Sequence, residues 1–207
     1  MRIRPAVPIL MVAAIAPGWA RPLDEGTSLV VGTAPGQFDL VGIGPEAIAI
    51  VDGEVRLTGR PLGYFATRAD YADFVLTFDW RFDRPADLVS DAKFRGNGGV
   101  LLRIARPHRV WPDAVEVQLA QGDPGALFAL KDTDFAARAD PEAQKAAVRP
   151  VGQWNRAEVT CRGGTIISRL NGVEVARGER ARVVPGPIGW QSEGKPIRFR
   201  DLRIKPL

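Results

Sequence analysis

The stretch from Asp73 to Phe82 alternates without a break, and this pattern constrains the chain more than any other. Phe74, Leu76, Phe78, Trp80 and Phe82 fall on one side, and Asp73, Val75, Thr77, Asp79 and Arg81 on the other. A period of two is that of a half-buried strand. Five large apolar side chains on one face need a second layer to cover them, so the run demands two packed sheets.

The turns agree. Ile48–Val51 leads through Asp52-Gly53 into Glu54–Leu57. Arg156–Arg162 passes through Gly163-Gly164 into Thr165–Leu170, then through Asn171-Gly172 into Val173–Ala176. Asp-Gly, Gly-Gly and Asn-Gly supply the positive φ angles of two-residue hairpins, so the latter three strands form an antiparallel meander. The last strand, Pro196 to Lys205, changes apolar parity between Phe199 and Leu202, which predicts a bulge near Arg200-Asp201. Asp132 to Val148, alanine-rich and polar, breaks the pattern and reads as a loop with one short helix. The fold expected is all-β: an antiparallel sandwich with one short helical excursion.

The first twenty residues stand apart. Arg2 and Arg4, an apolar run from Ala6 to Ala16, and Pro17-Gly18-Trp19-Ala20 form a secretory leader. Its run of about eleven apolar residues falls short of the roughly twenty a membrane span requires. No cysteine follows it, so the expectation is an exported protein, periplasmic or extracellular and not a lipoprotein, with 21–207 as a single sandwich domain. Without Arg2 and Arg4 the chain carries 26 basic and 24 acidic residues, a formal charge of +2. Scattered charge so near balance gives no electrostatic footprint for a nucleic acid. Cys161 is the one cysteine. It alternates with Ala157 and Val159 and reads as a small buried residue. No later apolar run reaches transmembrane length.

Three segments bring polar groups to the face opposite their apolar positions. In Gly98–Ala105, Val100, Leu102 and Ile104 oppose Gly99, Leu101 and Arg103. In Ala114–Ala120, Glu116 and Gln118 share the outer face. Near the C-terminus, Gln191 alternates with Ile188 and Trp190, and Ser192-Glu193-Gly194 follow. If these strands are neighbours, Arg103, Glu116, Gln118 and Gln191 meet on one face, with the directional hydrogen bonding that sugar hydroxyls need. A polar outer face is also what any antiparallel sheet presents to water. A Gly-x-Ser-x-Gly elbow, a metal-binding His pair and a phosphate-cradling Gly-rich loop are all absent from the sequence. His108, the sole histidine, lies in a segment between strands, and an imidazole there is a candidate general base. Paired carboxylates for ordinary glycoside hydrolysis would come from Glu116, Asp123, Glu193 or Asp113, and spacing does not choose among them.

Taken in order, a set of segments resembles the 3-keto-disaccharide hydrolase domain family, which has a concanavalin A-like jelly roll. They are Tyr71–Leu76 running into Trp80-Arg81-Phe82, Gly96–Arg103, Val115–Leu119, Gly125–Phe128, Gly152–Asn155, Asn171-Gly172, Gly186–Gly194 and Ile197–Ile204. The chain departs from the family at Asn97-Gly98-Gly99, where Asn-Ser-Gly is more usual, and at Trp190, where Leu or Phe is frequent. The resemblance implies cleavage of a glycoside oxidised to a ketone at carbon 3. That ketone acidifies the carbon-2 proton, a base removes it, and the group at carbon 1 leaves by elimination. The roles implied are Glu116 or His108 as base, Glu193 as a second acid–base group, and Arg103 as enolate or hydroxyl partner. Asn97, Gln118 and Gln191 would orient the ring, and Trp111 would stack on the sugar from the rim. No cofactor is certain; a divalent cation is compatible with the carboxylates, although no ligand spacing demands one. The partner expected is a small 3-keto-glycoside. A non-catalytic carbohydrate-binding sandwich is the alternative, because fold alone does not fix function. A cell-envelope interaction module is a third.

Overall fold

A computed structural model describes residues 26–131 and 134–207. The leader read over 1–20 lies outside the described residues. The strands in chain order are β1 (Thr27–Ser28), β2 (Asp39–Val41), β3 (Ile48–Val51), β4 (Glu54–Leu57), β5 (Gly63–Ala66), β6 (Phe74–Phe82), β7 (Gly99–Leu102) and β8 (Ala114–Gln118). They continue with β9 (Leu127–Leu130), β10 (Ala136–Ala139), β11 (Asn155–Arg162), β12 (Thr165–Leu170), β13 (Val173–Glu179), β14 (Gly189–Ser192) and β15 (Ile197–Pro206). One α-helix, α1 (Pro141–Ala147), interrupts them.

The strands form two antiparallel sheets, as the alternation requires. One runs β10-β13-β12-β11-β6-β15-β4-β3, with β1 added beside β15; the other runs β2-β5-β14-β7-β8-β9. Central β6 buries Phe74, Leu76, Phe78, Trp80 and Phe82 between them. From the facing sheet Trp190 meets Phe78 edge-on at 6.5 Å and stacks on Phe65 at 5.1 Å. Aromatic pairs of this kind add about 1 kcal/mol each beyond their buried area. Cys161 is buried in this core, as its alternation implied.

Every predicted hairpin forms. Val51 pairs with Glu54, Arg162 with Thr165 and Leu170 with Val173, and Asp52, Gly53, Asn171 and Gly172 take positive φ. The bulge in β15 sits between Arg200 and Arg203, with Asp201 at φ +51°. The helical excursion is present: Asp140 caps α1 by accepting from the Ala143 amide at 3.0 Å, and Pro141 opens it. The same region also supplies β10, an edge strand paired with β13 that its polar composition did not signal.

One strand departs from its pattern. Gly98–Ala105 was expected to alternate throughout, but Arg103 adopts φ +52° and ends β7 at Leu102. Val100 and Leu102 face the main core as expected. Ile104, beyond the reversal, joins Leu101 on the opposite face in a second cluster with Tyr64, Ala66 and Ala114.

Candidate functional site

The outer face of the six-stranded sheet is built from cross-strand neighbours. Tyr64 on β5 pairs with Gln191 on β14, and Gly189 pairs with Leu101 on β7. Gly99 pairs with Gln118 and Leu101 with Glu116 on β8, while Glu116 pairs with Phe128 on β9. Directly opposed residues project to the same side. One end of this face is apolar: the Tyr64 ring lies over Gly189 and against Ile104. There Val110 packs on Gly42, and the His108 ring stands 6.5 Å from that of Tyr64. The 105–113 loop thus covers this end.

The other end is polar and centres on Gly99. A Cβ at this position would collide with the Oε1 atoms of both Glu116 and Gln191. The missing side chain is therefore the space in which the two groups converge, a close approach of the sort that places glycine inside a strand. Glu193, just beyond the end of β14, lies near enough for its charge to act on Glu116. Asn97 bridges backbone-to-backbone with Gly194, which brings its carboxamide to the Glu193 carboxyl. Asp123 approaches from the loop after β8, closely enough for its charge to act on Glu116. Gln118 holds that loop: its Oε1 accepts from the amides of Leu119 and Ala120 at 2.9 and 3.0 Å.

These groups are buried with incomplete hydrogen bonding. Glu116 is 7% exposed and Gln191 2%. Both amide atoms of Gln191 and Glu193 Oε2 have no hydrogen-bond partner. Buried polar atoms are nearly always satisfied, and leaving one unmade costs about 1–3 kcal/mol. Several orphans around one cradle mark a place where a polar ligand completes the network. Burial first, then the like charges of Glu193 and Asp123, push the Glu116 carboxyl up to about 7. Burial also raises Glu193, with Asn97 offsetting part of the effect, and it raises Asp123. A carboxyl near 7 exchanges its proton freely at neutral pH, as a general base or acid must. Burial lifts the Tyr64 phenol to about 12, so it remains a neutral donor.

The structure thus brings together Glu116, Gln191, Glu193 and Asn97, with Gln118 alongside as a support for the loop. Arg103 is not brought to this group. Its reversed backbone sends the guanidinium away, where it donates to the carbonyls of Ala72 (2.8 Å), Gly163 (3.0 Å) and Arg182 (3.1 Å) and pairs with Asp73 at 3.2 Å. At 6% exposure it is a buried clamp between loops. His108 lies on the covering loop beside the Arg106 guanidinium, 3.2 Å away, and makes no hydrogen bond to Glu116. Trp111 stands on the same loop, 47% exposed, with Lys131 donating to its carbonyl. Tyr64 and Gly99 were missed. Tyr64 sits in an unbroken buried run, Gly63–Ala66, that shows no alternation. Gly99 did carry a signal, being a glycine within a strand.

Among the described residues no group of three or more His, Cys, Asp or Glu side chains is placed to hold a metal ion. Two hollows of about 270 and 450 Å3 lie elsewhere, beside β3, β4 and β15 and beside β10, β13 and α1. Neither is lined by a residue of the cradle. No helix among the described residues is long and apolar enough to cross a membrane.

Solved structures share the architecture. A candidate glycosyl hydrolase from Parabacteroides distasonis aligns with a TM-score of 0.57 at 20% identity, over 83% of this chain and 94% of that one. The carbohydrate-binding module CBM66 from Bacillus subtilis aligns at 0.60 and 14% identity, over 82% and 95%. A Bacillus subtilis protein with a galectin-like fold aligns at 0.56 and 14%, over 82% and 89%. At these identities the likeness is one of fold, an all-β sandwich. No curated protein matches the chain. A family model matches residues 18–205, nearly the whole length, and the chain belongs to the 3-keto-alpha-glucoside-1,2-lyase-like domain family, a carbohydrate-related group.

Proposed function

We propose that the protein is an exported enzyme that cleaves 3-keto-glycosides at the cradle over Gly99. The observation that carries this reading is the buried Glu116 carboxyl, raised to about 7, beside a Gln191 carboxamide with both polar atoms unpartnered. In its ionised form Glu116 removes the proton from carbon 2 of the bound sugar. The electron pair delocalises onto the carbon-3 ketone as an enolate, which a Gln191 N–H stabilises by hydrogen bonding. The enolate then reforms the ketone and expels the carbon-1 oxygen, with protonated Glu193 supplying its proton. Ionised Glu193 then takes a proton from water as the water oxygen adds to carbon 1 of the resulting enone, and Glu116, its proton exchanged with solvent, protonates carbon 2, giving net hydrolysis. Asn97 orients Glu193, and Tyr64 donates from the apolar side. His108 and Trp111 serve the rim, where Trp111 covers a sugar face.

A carbohydrate-binding role without catalysis is the second reading. Two exposed aromatic side chains favour it, Phe128 at 42% beside Glu116 and Trp111 at 47% on the covering loop. Incubation of the purified chain with a 3-keto-glucoside and with its unoxidised parent, followed by mass spectrometry, separates the readings. Cleavage of the keto sugar alone supports the enzyme. Saturable binding of both sugars with no cleavage of either overturns it in favour of the binder.

A further inference from the structure

The cradle gathers carboxyl groups beside a carboxamide. Glu116 and Gln191 converge over Gly99. The charges of Glu193 and of Asp123, which comes from the next loop, both act on Glu116. Arg103, the cation that the sequence pattern assigned to this face, is spent on three carbonyls and Asp73 elsewhere. An independent observation points to a ligand: the Gln191 side chain, 2% exposed, aims an unpartnered Oε1 into the same space, and its Nε2 is unpartnered as well.

We propose that this site selects its sugar by charge, accepting neutral and amine-bearing glycosides and rejecting those that carry a carboxylate or a phosphate. The inference rests on the reading of the cradle as a sugar site and names the substrate class within it. Hydrogen-bond inventory and charge lead to the same selection. Gln191 Oε1 and Glu193 Oε2 lack donors that a ligand's hydrogens would supply, while Gln191 Nε2 can donate to any ligand oxygen and does not discriminate. Hydroxyl and ammonium groups bring those hydrogens, whereas a carboxylate or phosphate brings only further acceptors. A second anion a few ångströms from buried Glu116 meets like-charge repulsion that salt does little to screen.

The test is a titration of the full chain at pH 8 with methyl glucoside, methyl 2-amino-2-deoxyglucoside and methyl glucuronide, read by calorimetry or ligand-observed NMR. The expected order places the amino sugar at or above the neutral one and the glucuronide at least tenfold weaker. Doubly substituted protein (Glu116→Gln with Glu193→Gln) is expected to close the gap between glucuronide and glucoside to within about threefold. Glucuronide binding as tightly as glucoside in the native chain overturns the charge selection and leaves the sugar site standing. Binding of none of the three overturns the sugar site itself, and the selection with it.

Discussion

Glu116 on β8 and Gln191 on β14 belong to strands that are not neighbours, yet their side chains meet over Gly99 on the strand between them. The cradle exists because that one position lacks a Cβ. Gly99 has ordinary extended backbone, so alanine there fills space without straining φ. Gly99→Ala is expected to lower kcat/KM for the keto sugar at least tenfold, with a thermal midpoint only a few degrees lower. Wild-type kinetics in this variant would show that the space above Gly99 is not where the sugar binds.

The raised Glu116 carboxyl links stability to pH with a defined sign. Its ordinary value is 4.5 and its folded value about 7, so between them the folded state binds more protons than the unfolded one. Stability therefore falls as pH rises through this window, by up to about 3 kcal/mol from this group. Glu193 and Asp123, also raised, act in the same direction. Glu116→Gln removes the cost of the ionised form. The variant is expected to unfold at higher denaturant than wild type at pH 8.5, and with little difference at pH 5. A variant less stable than wild type at both pH values would identify Glu116 as a structural residue.

Arg103 makes the opposite prediction. Truncating it leaves the carbonyls of Ala72, Gly163 and Arg182 without their donor and strips Asp73 of its partner. Arg103→Ala is expected to cost about 3–5 kcal/mol in denaturant unfolding, as for other buried charge partners. At a temperature where the variant remains folded, KM for the keto sugar is expected to stay within about threefold of wild type. A rise of KM by tenfold in a protein of native stability would return Arg103 to the sugar site.

The fold was legible because its signals are local. Alternation in β6, the Asp52-Gly53, Gly163-Gly164 and Asn171-Gly172 turns and the parity change in β15 each depend on residues a few positions apart. The site was legible only in part. Glu116 and Gln191 were found because they alternate with apolar neighbours, whereas Asn97 and Glu193, flanked by glycine and serine, came from the family resemblance. Arg103 followed the same rule and was misplaced, since nothing in its side chain announces a positive φ. Tyr64 lay hidden in a run buried on both faces, where alternation disappears. The covering loop over 105–113 and the approach of Asp123 depend on tertiary packing, which periodicity does not encode.

Deuterium uptake at carbon 2 tests the chemistry most directly. Wild-type and Glu116→Gln protein would be incubated with a methyl 3-keto-glucoside in D2O, and the recovered substrate and product analysed by mass spectrometry against a protein-free blank. The account predicts one solvent deuterium at carbon 2 of the cleaved sugar with wild type. It also predicts at least a hundredfold loss of both cleavage and exchange above the blank in the variant. Cleavage without deuterium at carbon 2, or exchange at the wild-type rate in the variant, would contradict it.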